Sequence, residues 1–139
     1  IGAKYFSKYD ISAQELAAKV GNIDLIYEAV GGSEFAFDVL QVLGTNGIFI
    51  FTGIPAPETR LEIDSDILMR RIVLENLAIV GTVNADRKAF EDAIADLGEF
   101  HKRWPETIKK VITGRYDISD YQELLVGKSK GIKNVITFG

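Results

Sequence analysis

Apolar residues recur along the chain in two rhythms. Ser12 and Glu15 have capping-box spacing, and Ala13, Leu16, Ala17 and Val20 then form one helical stripe that Gly21 ends. Residues 23–30 read instead as a strand, buried on both faces for most of its length. Gly31 and Gly32 allow a sharp turn, and Ser33 can cap the helix that follows. Ala36, Val39, Leu40 and Leu43 make its buried face and Gly44 its stop. GIFIFTGIP, residues 47–55, is a second apolar strand, broken by Gly53 and Pro55. RLEID, residues 60–64, alternates as an edge strand would. A short helix is predicted over Asp66 to Arg71, and LAIVG, residues 77–81, is a third strong buried strand.

The remainder turns helical. Asp86 caps a long helix with the stripe Phe90, Ala93, Ile94, Leu97 and Trp104. Pro105 opens a further helix with Ile108, Val111 and Ile112 on its inner face. Ser119 and Gln122 repeat the capping-box spacing ahead of Tyr121, Leu124 and Leu125, and NVITF, residues 134–138, closes the chain as a strand. Strands alternating with helices over short joins predict an α/β fold, a parallel sheet flanked by helices. No internal repeat, low-complexity stretch or long linker interrupts the order.

Composition narrows the function. The 139 residues are 47% hydrophobic, enough for one domain with a real core. No apolar run approaches the ~18 residues of a membrane span. The net charge is −4, with Lys and Arg spread along the chain, which argues against a nucleic-acid or membrane-surface partner. The opening IGAKYFSKYD lacks the order of a signal peptide, and Ile1 is not an initiator methionine, so a cut or processed start is expected. There is no cysteine and one histidine, His101, which reads as an ordinary helix-surface residue. A reducing cytoplasm is expected, and a zinc site, which needs about three convergent ligands, is not.

Candidate chemistry sits where strands stop, because ligands of open parallel sheets bind beyond the carboxyl ends of the strands. Those ends read AVGG (29–32), FTGIP (51–55) and GTVNAD (81–86). Each offers small residues or glycine where a flat ligand could lie against the main chain. A carboxamide needs a donor and an acceptor in one plane, and backbone groups supply both. Each signal is weak alone. The glycines serve equally as turns, Asn84 as a turn or cap residue, Lys133 as solvated charge, and Tyr27 and Glu28 as core and cap.

DLIYEAVG, NGIFIFTGIP, NLAIVGTVNADRKAFEDA and KGIKNVI together resemble the carboxyl-terminal part of glucose dehydrogenases in the zinc-dependent medium-chain dehydrogenase/reductase superfamily. The resemblance implies a Rossmann-like sheet that lacks the first βαβ, phosphate-loop unit. Residues 22–32, 47–55 and 77–81 would be its fourth, fifth and sixth strands, and IGAKYF the end of the second crossover helix entering the third. Residues 1–139 would form the carboxyl-terminal part of a dinucleotide-binding domain. The implied cofactor is NADP or NAD. Ala29 and Val30 would flank it, and Thr52, Gly53 and Ile54 would meet the nicotinamide ring and its ribose. Thr82, Val83 and Asn84 would hold the carboxamide side, and Lys133 would reach the cofactor. The implied reaction takes a hydride from C1 of an aldose, with zinc ligands and catalytic residues outside this chain. A sugar substrate and homo-oligomerisation through edge strands are further implications. The same segment of an alcohol dehydrogenase or quinone reductase, or a stand-alone dimerising module, are the competing readings.

Overall fold

The computed structural model describes residues 2–56, 60–127 and 131–138. They divide into two units, Gly2–Asn84 and the residues from Ala85 onward.

In the first unit, Ser12 caps α1 (Ala13–Val20) through a reciprocal capping box with Glu15. Three four-residue strands follow, β1 (Leu25–Glu28), β2 (Ile48–Phe51) and β3 (Ala78–Gly81). They pair in parallel in the order β1-β2-β3, with Glu28, Phe51 and Gly81 level at one end. The crossovers contain α2 (Ser33–Leu40) and α3 (Ser65–Leu74).

The core forms where β2 meets the helices. Phe49 is fully buried, with Val39, Leu40 and Leu43 from the α2 segment and Leu77 before β3. Phe37, Phe51, Leu68 and Ile72 pack against that cluster, and the Phe49 and Phe51 rings lie 4.5 Å apart. Arg71 locks α3 to the end of α2. Its guanidinium donates to the carbonyls of Gln41 and Leu43, the latter at 2.9 Å, and pairs with Glu75 at 2.7 Å. Those carbonyls are orphaned where α2 ends, so the cation satisfies what the helix cannot.

The stripe Ala36, Val39, Leu40 and Leu43 is buried as the pattern predicts. The strands differ from expectation. They are shorter, and Leu25, Tyr27, Ile48 and Val80, on the side of the sheet away from Phe49, are exposed. β3 is an edge strand with no buried residue of its own, Leu77 just before it being the buried one. RLEID is not a strand. Asp64 instead turns its carboxylate onto the Ile67 N–H at 3.1 Å and caps α3, which ends the extended run. Ser33 is the first residue of α2 rather than its cap. The cap position is Gly32, which has no side chain to offer.

The second unit opens with α4 (Arg87–Arg103), capped by Asp86 as predicted and laced by ion pairs such as Arg87–Glu91 and Lys88–Asp92. Its apolar stripe is exposed at Phe90, Ile94 and Leu97. α5 (Pro105–Val111) stops one residue short of the expected stripe. Ile112 belongs to β4 (Ile112–Asp117), which pairs in parallel with β5 (Lys133–Thr137). Sequence patterning misses β4, because Ile112 completes a helical stripe and Gly114 and Arg115 dilute the alternation. Ser119 does not cap α6 (Tyr121–Val126). It lies in a 3-10 turn, where its own N–H and hydroxyl both donate to the Asp117 carboxylate.

Phe49→Ala should lower the stability of the purified chain by about 3–5 kcal/mol, whereas Leu25→Ala, at a position 57% exposed, should cost much less. Urea denaturation compares the two, and equal losses would put the core elsewhere.

Candidate functional site

Because the strands are parallel and in register, their carboxyl ends open on one edge. Ala29 and Val30 follow β1, Thr52, Gly53 and Ile54 follow β2, and Thr82, Val83 and Asn84 follow β3. The structure therefore brings these predicted residues to one edge of the first unit. Lys133 is in the second unit, where it opens β5 opposite Ile112 with its side chain exposed.

One side chain organises that edge. Glu28 ends β1 and is only 5% exposed. Its Oε1 accepts from the N–H of Val30 at 2.8 Å and of Gly31 at 2.7 Å, and its Oε2 accepts from the N–H of Gly53 at 3.2 Å. Its carbonyl accepts from the N–H of Thr52 at 2.9 Å and from the Thr52 hydroxyl at 2.8 Å. The Gly31 N–H holds the carboxyl below the usual carboxylate range. Burial opposes this, and the Val30 and Gly53 N–H groups reinforce it.

The glycines fit this clamp. Gly31 has φ +76°, and a Cβ there would come within 2.7 Å of the Ile54 carbonyl oxygen. A Cβ on Gly53 would lie 2.1 Å from the Gly31 nitrogen and 2.7 Å from Glu28 Oε2. The missing side chain at Gly53 thus makes room for the neighbouring turn, a purpose distinct from the ligand approach the sequence suggests. Glu28 itself escapes sequence reasoning, which leaves it as core or cap. The available signal was a lone carboxylate at the end of an apolar strand, directly ahead of a glycine pair.

The clamp turns apolar side chains outward. Val30 is 78% exposed, Ile54 79% and Val83 67%, one after each strand. These exposed β-branched residues follow the three strands, on one edge of the sheet. Asn84 has φ +66°, a left-handed conformation that asparagine tolerates, and the chain leaves the sheet there. Residues 29–32, 52–56 and 82–84 include no charged side chain. The edge therefore presents main-chain groups and apolar side chains rather than charge. Among the described residues no cluster of His, Cys, Asp or Glu could hold a metal, so these residues do not fit a zinc site. No described helix is long and apolar enough to cross a membrane.

The family profile described as "Glucose dehydrogenase C-terminus" matches residues 1–138. The chain belongs to that family. The glucose 1-dehydrogenase of Methanocella arvoryzae is 29% identical over 138 residues, which cover 99% of this chain and 38% of the relative. That of Haloarcula marismortui is 37% identical over 99 residues, 71% of this chain and 28% of the relative. The glucose dehydrogenase C-terminus seen here thus spans under two-fifths of the Methanocella enzyme's length. The solved structure of Haloferax mediterranei glucose dehydrogenase in complex with NADP, Zn and gluconolactone superposes with a TM-score of 0.81 at 26% identity, over 99% of this chain and 37% of that one. An alcohol dehydrogenase from Thermotoga maritima gives a TM-score of 0.74 at 18% identity over 96% of this chain and 37% of its own, which shows a shared fold. The Rossmann-like architecture expected of this glucose dehydrogenase C-terminus is the one its strands form.

Glu28→Gln should lower stability by about 2–3 kcal/mol at pH 7, because a buried N–H loses its charged acceptor. The carboxyl is depressed in the folded state, so its contribution is complete above the unfolded-state value of about 4.3 and lost as pH falls through the lower folded value. Urea melts of both proteins from pH 7 downward should therefore show the difference shrinking below about pH 4. A gap that widens in acid would contradict the clamp.

Proposed function

We propose that this chain is the nicotinamide-side half of the cofactor domain of an NAD(P)-dependent glucose 1-dehydrogenase, with residues 1–139 forming the carboxyl-terminal part of one dinucleotide-binding domain. The observation that supports this most is the convergence of the three strand ends, with Val30, Ile54 and Val83 exposed on an uncharged edge. The chain's part is orientation. Ala29 and Val30 flank the dinucleotide, and Thr52, Gly53 and Ile54 meet the ring and its ribose. Thr82, Val83 and Asn84 hold the carboxamide side through backbone groups, and Lys133 reaches the cofactor. A bound coenzyme would supply the hydride acceptor, C4 of its ring, for C1 of an aldose, and the residues named here would hold and orient that ring. No catalytic group is assigned to this chain, and zinc enters the reading only through residues outside it.

A cytoplasmic enzyme fits the absence of cysteine. Homo-oligomerisation fits β3, which among the described residues is an edge strand of the first sheet.

The chain purified alone should bind NAD and NADP weakly and oxidise no sugar. A pyrophosphate is usually cradled by a glycine turn at a helix N-terminus, and the strand-end edge offers it no charge. A few hydrogen bonds of about 1 kcal/mol net each stand against an association cost of several kcal/mol. A dissociation constant weaker than roughly 1 mM follows. Calorimetry with both coenzymes and a glucose-dependent absorbance assay with added zinc check the two halves. Micromolar binding or measurable turnover would overturn the reading of this chain as an orienting half-domain.

A further inference from the structure

We propose that Glu28 is the positioning residue of this edge, its carboxylate fixing the spacing between the turn that carries Val30 and the turn that carries Ile54. The proposal rests on the reading of the edge as a nicotinamide site. Val30 and Ile54 are 78% and 79% exposed, so side-chain packing does not hold them. Their main chains are what is held. One carboxylate accepts from Val30 and Gly31 through Oε1 and from Gly53 through Oε2, and so ties both turns to the end of β1. The glycine contacts let the turns close to backbone distance, but contact alone sets only a lower limit on their separation. The two-sided acceptor sets the separation itself. A ring lying against both apolar side chains then meets a preformed surface, and its binding bears no cost of ordering the turns.

Glutamine is the discriminating replacement. A carboxamide has one acceptor oxygen and one NH2 donor. Its oxygen can keep the Val30 and Gly31 bonds, which leaves its NH2 facing the Gly53 N–H, donor against donor. The Thr52 bonds to the Glu28 carbonyl are untouched, and the Gly53 N–H keeps its longer 3.3 Å bond to that carbonyl, so the strand pairing stays while the second turn loses its bond to the carboxylate, the one that ties it to the first turn.

The test uses the full-length dehydrogenase that carries this segment, as wild type, Glu28→Gln and Ile54→Ala. NADP and NAD dissociation constants are measured by fluorescence titration well below the melting temperature of each protein, and the glucose KM at saturating coenzyme. The expected result for Glu28→Gln is a coenzyme dissociation constant raised about tenfold, with the glucose KM unchanged within about twofold. Ile54→Ala should also weaken coenzyme binding. If Glu28→Gln lowers only the melting temperature while Ile54→Ala weakens binding, Glu28 is merely structural and the proposal is overturned, with the edge reading intact. If neither variant alters coenzyme binding, the edge reading fails and the proposal with it. Should Glu28→Gln not fold, Glu28→Asp keeps the charge but shortens the side chain by one methylene, so that one carboxylate no longer spans Val30, Gly31 and Gly53. A smaller rise in the coenzyme constant is then expected, and no rise overturns the proposal.

Discussion

A buried carboxylate must find donors, and the rest of this edge depends on where Glu28 finds them. Nothing else about a strand end requires the two following loops to fold back toward each other. The Glu28 side chain sits in the sheet's helix-covered face, level with Phe51 in the register. It is buried there, and among the described residues no cation pairs with it. Its charge is met by main-chain N–H groups of Val30, Gly31 and Gly53. That requirement draws residues 52–54 across to residues 29–31. The approach is close enough that both Gly31 and Gly53 must lack a side chain. The glycines and the glutamate are one device.

The device faces two ways. Inward it completes the hydrogen bonding of a parallel sheet where the ladder runs out, a place where buried backbone groups otherwise go unpaired. Outward it leaves Val30 and Ile54 with no role in the core. With Val83 they form an apolar, uncharged rim. Below the rim the scaffold is rigid for ordinary reasons, with Phe49 at the centre and Arg71 joining α3 to the carbonyls at the end of α2.

Much of this was legible in the residues. The stripe Ala36, Val39, Leu40 and Leu43 and the apolar runs around Phe49 carry strong periodic signals, and the parallel order follows from their alternation with helices. Ser12 and Asp86 cap as their spacing predicts, since capping is local chemistry. The errors lie where tertiary demands outrank local pattern. Asp64 ends RLEID because the first N–H groups of α3 need an acceptor. Ile112 leaves a helical stripe for β4 because β5 provides a parallel partner. The meeting of the strand ends on one edge was legible, but the way they are assembled was not. Glu28 read as core or cap because its three donors are main-chain groups, and no residue pattern announces those.

The most direct measurement is a crystal structure of the full-length protein with NADP bound. The account predicts the nicotinamide ring against Val30, Ile54 and Val83, its carboxamide bonded to the main chain of residues 82–84, and the Glu28 bonds to Val30, Gly31 and Gly53 retained. A coenzyme whose ring lies away from these strand ends, or a Glu28 side chain turned out to meet the ligand itself, would contradict it.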